Sequence, residues 1–241
     1  MYTGNVLTGP DKMDTTINFL TPYYQRHNQR RQEHLSSLAL PIASKTVLEV
    51  GSGIGDHTSY FLDRKCSVTC TDGRKEVLDI LKQRYPEVNC QIWDVESSKM
   101  DHISSHQIVY AYGLLYHTSK PEAVLGRLAS KCTELLCLET CVSFGNEELI
   151  NLTAEATGDP TQALRGTGCR PTRKWIFKVL KSLFPNVYLT RTQPWHEEFP
   201  TDWMNPPNGN GGGLIRSVFV AAKIPLDNPC LSPELLDFQE R

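Results

Sequence analysis

The stretch Thr46-Val47-Leu48-Glu49-Val50-Gly51-Ser52-Gly53-Ile54-Gly55 decides the fold class. An apolar run of strand length passes directly into closely spaced glycines, and a short helical pattern through Tyr60, Phe61 and Leu62 follows. That order opens a βαβ unit, in which bare backbone at a helix N-terminus can approach a ligand closely. Downstream, strand and helix periods keep alternating. Residues 67–70 read as a second strand closed by Asp72-Gly73, and the next helix carries Val77, Leu78, Leu81 and Tyr85. Residues 88–93 read as a third strand, 107–112 as a fourth and 135–141 as a fifth, with a helix opening near Pro121 between the last two. The pattern predicts an α/β fold with a mostly parallel sheet and helices on both faces.

The flanks are less regular. Residues 1–44 read as an N-terminal helical arm, with Thr21-Pro22 as the cap and first position of a helix running through Leu38. Residues 45–241 read as the ligand-binding domain. Inside it, 143–171 reads as an insertion made of a helix at 147–156 and a loop rich in Gly, Pro and Thr. Thr172 is placed to cap an amphipathic helix with Ile176, Val179, Leu180 and Leu183 on one face. Strands at 187–190 and 214–222 complete the pattern, separated by a polar and aromatic loop ending in Gly211-Gly212-Gly213.

Composition narrows the function classes. With 39% hydrophobic and 22% charged residues, the 241-residue chain is too balanced to be disordered. Lys and Arg total 25 against 27 for Asp and Glu, a net charge of −2, which disfavours a chain-wide grip on nucleic acid or an anionic membrane. No apolar stretch approaches the roughly 18 residues of a membrane span. The start, MYTGNVLTGPDKMDTT, has neither the basic nor the apolar region of a secretory signal, so a cytoplasmic location is expected. None of the eight cysteines forms a C-x-x-C pair, and several sit in apolar strand-like runs. Buried free thiols are therefore expected, and no metal site.

Within the glycine loop the dinucleotide fingerprint fails, because Asp56 stands where its third glycine belongs. Glu49, two residues before Gly51, places a carboxylate at the mouth of the site. It would repel a pyrophosphate and attract an ammonium. Asp72 lies 21 residues after Gly51, a spacing that suits a carboxylate accepting hydrogen bonds from ribose hydroxyls; capping the next helix is the alternative. Asp94 follows the third strand with Val95 beside it, placed for the exocyclic amine and the ring of a base; a solvated loop acid is the plainer reading. Three loops in chain order would then hold an amino acid, a ribose and a purine, the parts of S-adenosylmethionine (SAM).

Glu49-Val50-Gly51-Ser52-Gly53-Ile54-Gly55, Asp72-Gly73 and Asp94-Val95 resemble the first three motifs of class I SAM-dependent methyltransferases. Tyr112-Gly113-Leu114-Leu115-Tyr116-His117 is similar to the segment after the fourth strand in many of them. The segments around Arg170 and Trp195 bring to mind bacterial methyltransferases associated with polysaccharides or natural products, and more faintly enzymes that carry a SAM-derived group to tRNA. The resemblance implies a Rossmann-like seven-stranded sheet, SAM as cofactor, and cofactor contacts at Glu49, Gly51, Ser52, Gly53, Gly55, Asp72, Gly73, Asp94, Val95 and Tyr112.

For a hydroxyl acceptor a base is needed, and an imidazole with a pKa near ~6.5 suits neutral pH. His117, just past the fourth strand, and His196, in Trp195-His196-Glu197-Glu198, are the candidates; a locally packed histidine is the alternative for each. Arg31 in the arm is a candidate partner for the methionine carboxylate. Tyr116, Arg170 and Trp195 are candidates for the acceptor, and the 143–171 insertion is expected to bind it. The resulting expectation is methyl transfer to a small molecule or saccharide, on oxygen. Transfer of another group to tRNA and SAM binding without catalysis are the rivals.

Overall fold

The computed structural model describes residues 17–97, 102–205 and 214–241. Helix α1 (Pro22–Ser37) starts as its sequence dictates: the Thr21 hydroxyl accepts from the Tyr24 amide, and Pro22 sits in the first turn where no amide is required. The alternating region then runs β1 (Thr46–Val50), α2 (Thr58–Leu62), β2 (Ser67–Asp72), α3 (Lys75–Arg84), β3 (Asn89–Ile92), β4 (His106–Tyr112), α4 (Pro121–Lys131) and β5 (Cys132–Cys141). After it come β6 (Ile150–Ala154), β7 (Thr167–Pro171), α5 (Arg173–Leu183), β8 (Asn186–Thr190), β9 (Arg216–Ala222) and β10 (Leu231–Ser232).

The main sheet has the order β10-β8-β9-β5-β4-β1-β2-β3. Strands β1 to β5 pair in parallel, and β9 lies antiparallel between β5 and β8. These seven strands are the expected Rossmann-like sheet, and the two-residue β10 adds an eighth along the edge of β8. The chain winds one way from β1 to β3 and the other way from β4 onward, so the strand direction of travel reverses between β1 and β4. In such sheets ligands bind outside the carboxyl ends of the strands at that reversal.

Helices cover both faces. Leu35 and Leu38 with Phe61, Leu78 and Leu81 form one apolar layer beneath α1, α2 and α3. Val124, Leu125 and Leu128 of α4 with Ile176 and Leu180 of α5 form the other. Thr172 caps α5 by accepting from the Trp175 amide. All eight cysteines are free thiols, six of them buried among apolar neighbours. No described helix is long and apolar enough to cross a membrane.

One expected element is wrong. Residues 147–156 are not a helix; β6 and β7 form a separate antiparallel hairpin, with Ile150 opposite Pro171 and Leu152 opposite Cys169. A helix there would have had no core to face, since Leu149, Ile150 and Leu152 are all exposed. Pairing with 167–171 satisfies the backbone instead, and tertiary pairing overrides a weak local pattern. The Gly211-Gly212-Gly213 segment and residues 1–16 of the arm lie outside the described residues.

Candidate active site

A cleft opens at the carboxyl ends of β1, β2 and β4 and is roofed by α1. Its floor is the glycine loop. Gly51 and Gly53 adopt φ of 70° and 52°, and a Cβ on Gly51 would come within 2.9 Å of Leu114. Only glycine passes here without strain. The Gly51 and Ser52 amides donate to the Thr71 carbonyl at 2.8 and 3.0 Å, tying the loop to the end of β2. Gly55 is also at positive φ, packed against Leu81.

Glu49 lines the cleft but is not a surface acid. It is 3% exposed, accepting from the Thr58 hydroxyl at 2.7 Å and the Cys70 thiol at 3.4 Å. Burial pushes its carboxyl up to about 7, against the lowering effect of those two donors. The expected fixed negative charge at the mouth is therefore a buried acid poised between its two protonation states. A cation alongside it would favour the ionised form.

Asp72 accepts the Gly53 amide on one oxygen at 3.1 Å and the Arg74 amide on the other at 3.0 Å. Burial raises its carboxyl despite these bonds. Asp72 stands two residues before Arg74, the N-cap of α3, which has no side-chain cap; its carboxylate braces the glycine loop and lines the cleft. Asp94 accepts the Glu96 amide at 3.0 Å and is ion-paired with Arg165, while Val95 is buried beside it. Leu164 closes over Gly73, where a Cβ would meet it at 2.8 Å.

The 143–171 insertion meets the cleft region at two places. Thr161, Gln162 and Leu164 line the cleft over the ends of β2 and β3, and Arg74 reaches the Asp159 carbonyl. At the other end Gly168 and Arg170 lie against the Tyr116 carbonyl, and Glu155 reaches His117. Its buried carboxylate takes the His117 Nδ1, the Ala163 amide at 2.7 Å and Arg170 at 3.3 Å. Burial lowers the pKa of His117 and works to raise that of Glu155; the bonds to His117 and Ala163, with Arg170 nearby, hold Glu155 below the usual range instead. The pair is a neutral imidazole donating Nδ1–H to a carboxylate. Gly168 makes the approach possible, because a Cβ there would stand 2.2 Å from a Glu155 oxygen.

The roof brings an aromatic and basic stripe of α1 to the cleft: Tyr24, His27, Asn28 and Arg31. Arg31 is 4% exposed, ion-paired with Glu139, donates to Asn28 Oδ1 at 3.3 Å, and has a buried Nε without a partner. Its guanidinium lies against Gly113, where a Cβ would meet Nη2 at 3.2 Å. Arg30, in contrast, is on the outer face with Glu33. Asn28 Oδ1 also accepts from His57 Nε2 at 3.1 Å, and the Tyr110 hydroxyl bonds His57 Nδ1. Burial and then Arg31 lower the His57 imidazole to about 3. Tyr112 stacks on Tyr110 at 4.3 Å and its buried hydroxyl has no partner.

Arg216, the first residue of β9, completes the network. Its Nε donates to Glu198, Nη1 to Glu139 at 3.1 Å and Nη2 to the Tyr116 hydroxyl at 3.1 Å. Glu139 is thereby shared between Arg31 and Arg216.

Four candidates do not line the cleft; Gly55, packed against Leu81, is one. His196 packs behind His27 with ring centroids 4.8 Å apart; its Nδ1 accepts the Glu198 amide at 3.3 Å and its side chain is fully buried. Trp195 is 67% exposed with only Arg241 near its ring. Arg170 bonds the Tyr116 carbonyl at 3.0 Å and Glu155, so its charge supports the His117 turn. Phe199 and Trp203 likewise pin the loop to the core. In contrast Glu49, Gly51, Ser52, Gly53, Asp72, Gly73, Asp94, Val95, Tyr112, Tyr116, His117 and Arg31 share one cleft.

Arg216, Glu155, Tyr24, His27 and Asn28 are not among the residues expected at the site, whereas Arg31 is. A signal existed for Arg216 and for its partner Glu139. Arg216 opens the otherwise apolar run Ser217-Val218-Phe219-Val220, and Glu139 interrupts Leu135-Leu136-Cys137-Leu138. A charge inside a buried strand demands a partner. Glu155 had no such signal, since its hairpin was misread.

Comparison with known proteins agrees with this geometry. The profile of the family described as "Methyltransferase domain" matches residues 47–134. An uncharacterised methyltransferase of Exiguobacterium sibiricum is 32% identical over 111 residues, 46% of this chain and 52% of that protein. The chain thus spans about half the length of the curated relative it matches. The N-terminal domain of EvdMO1, crystallised in the presence of S-adenosylhomocysteine (SAH) and D-fucose, superposes with a TM-score of 0.59 at 18% identity, over 84% of each chain. The Burkholderia thailandensis 1,6-didemethyltoxoflavin-N1-methyltransferase, with its heterocycle and SAH bound, superposes with a TM-score of 0.54 at 19% identity, over 84% of this chain and 79% of that one. Residues 47–134 thus match the methyltransferase-domain family, and the chain has the Rossmann-like fold of the solved methyltransferases on which it superposes.

Proposed function

We propose that the chain transfers the methyl group of SAM to a hydroxyl oxygen of a small molecule, a saccharide among the candidate acceptors, with His117 as the base. The cleft fits the cofactor on three observations of its own: a glycine floor that a Cβ would fill, a buried acid awaiting a cation at Glu49, and the orphaned Tyr112 hydroxyl. Glu49 and Arg31 would hold the methionine head, Asp72 the ribose, and Asp94 with Val95 the adenine. Bound SAM supplies a methyl on a sulfonium, which an oxygen nucleophile attacks in line.

The chain's own contribution is alignment and proton removal. Well-ordered alignment is worth about 7–11 kcal/mol of barrier. The observation that carries the oxygen reading is the His117–Glu155 pair. Glu155 fixes Nδ1 as the protonated nitrogen and leaves Nε2 to accept the hydroxyl proton. Burial keeps the imidazole neutral before turnover. The D-fucose present with the EvdMO1 domain supports a sugar hydroxyl as one acceptor class. The 143–171 segment serves mainly as a cover over the adenosine end in this reading.

The test combines calorimetry of SAM binding with turnover against metabolite pools, read by mass spectrometry for a gain of one methyl. The reading expects saturable binding and a methylated oxygen product lost in His117→Ala. Binding with no product from any pool would leave a SAM-binding protein and refute catalysis.

A further inference from the structure

The charges lining the cleft are sorted by position. Five acids, Glu49, Asp56, Asp72, Asp94 and Glu96, line the glycine-loop side together with Arg74, and Asp56 also accepts from Asn28 of α1 at 3.1 Å. The end bounded by α1, the turn after β4 and the start of β9 presents Tyr24, His27, Arg31, Tyr116, His117 and Arg216, with two guanidinium groups and no carboxylate. Glu139 and Glu198, which pair with those guanidinium groups, do not line the cleft. The cleft therefore meets the cations and not their counter-ions.

Resting on the methyl-transfer reading above, we infer that the acceptor is a hydroxylated small molecule carrying one carboxylate, recognised by Arg216 and the Tyr116 hydroxyl. Arg216 spends three of its five N–H groups, on Glu198, Glu139 and Tyr116, and two remain without a partner among the described residues. The Tyr116 hydroxyl accepts from Arg216, so its own hydrogen is available to donate. Its ring lies under the Arg216 guanidinium at 4.7 Å and is tilted by 42° against the His117 ring, with centroids 3.9 Å apart. A carboxylate held here sits beside the base. Arg31, lying against Gly113 next to the glycine loop, is left for the methionine carboxylate.

Charge balance favours a single negative charge. Arg31 and Arg216 are offset by Glu139 and Glu198, all of them buried. The amino-acid head of the cofactor is a zwitterion and its sulfonium adds one positive charge. At this end of the cleft the sulfonium would be the charge without a counter-ion, and a monoanionic acceptor beside it would supply one; unbalanced buried charge is costly. A planar guanidinium also matches a carboxylate by two parallel hydrogen bonds, which an amide cannot reproduce.

The test measures binding by titration calorimetry to the full chain saturated with SAH, so it does not depend on turnover. The probes are matched acid and amide pairs: para-hydroxybenzoate and its amide, glucuronate and glucuronamide, shikimate and its amide. At least one acid is expected to bind ten-fold or more tightly than its amide. Tyr116→Phe, which keeps the ring, should weaken that acid several-fold and leave the amide unchanged. Arg216→Lys, which keeps the charge but loses the fork, should reduce the preference further; if that variant does not fold, Tyr116→Phe decides alone. The inference is overturned if no acid is preferred over its amide, or if the preference is unaltered in Tyr116→Phe. Acid preference without methyl transfer in the turnover screen would overturn catalysis and leave the recognition of an anion standing.

Discussion

Glu49 offers the sharpest quantitative handle. Its carboxyl is buried beneath the glycine loop and pushed up to about 7 from an ordinary value of 4.5. A raised pKa means that the folded protein prefers the neutral acid, so stability is unpenalised below the unfolded value and falls as pH rises toward 7. A shift of about two and a half pH units corresponds to roughly 3 kcal/mol, lost in full above the folded pKa. Cofactor binding reverses the preference, since an ammonium needs the carboxylate. SAM affinity is therefore expected to rise about ten-fold per pH unit up to about 7 and then to level off, roughly a hundred-fold in all from mildly acidic to mildly basic solution. Calorimetry in buffers of different ionisation heat should show close to one proton released per SAM at pH below 7. Glu49→Gln should flatten both the affinity profile and the stability slope. A wild-type affinity independent of pH across this window would refute the assignment of Glu49 to the ammonium.

Other expectations bear on the acid–base pair and the cover. His117→Ala and Glu155→Gln should each lower kcat by about 10²–10⁴ while SAM affinity stays within about two-fold, as steady-state kinetics and calorimetry would show. Gly168→Ala places a methyl 2.2 Å from the Glu155 carboxylate and 2.4 Å from the Tyr116 carbonyl, and should cost about 1–3 kcal/mol in denaturant unfolding together with a fall in kcat. Leu180→Ala, at a fully buried site of α5, should cost about 2–5 kcal/mol without changing SAM affinity in the folded fraction. Trp195→Ala, at an exposed ring outside the cleft, should leave kcat/KM unchanged; a ten-fold loss would return Trp195 to the acceptor site.

Much of this protein can be read from local pattern. The strand–glycine–helix opening and the periods that follow specify β1 to β5 because side-chain periodicity and the positive-φ turn are written residue by residue. Thr21-Pro22 and Thr172 mark helix starts for the same reason: a cap satisfies amides of its own first turn. The cofactor half of the cleft follows too, since Glu49, Asp72 and Asp94 sit at the ends of consecutive strands that must lie side by side.

Tertiary structure alone decided the rest. Whether 147–156 was helix or strand depended on a partner at 167–171, and hence so did the delivery of Glu155 to His117 across 38 residues. His196 and Trp195 are neighbours in sequence to the acids of the network, yet one is sealed behind His27 and the other faces solvent. Arg216 meets Tyr116 across 100 residues, and Arg31 meets Glu139 across 108. A charge in a strand announces that it needs a counter-charge, but which one, and which side of the pair faces the cleft, is set by the packing of α1 over the sheet. Periodicity is a property of neighbours in the chain; a site assembled from a roof helix, a turn, a hairpin and an edge of the sheet exists only once desolvation and pairing have brought those distant groups together.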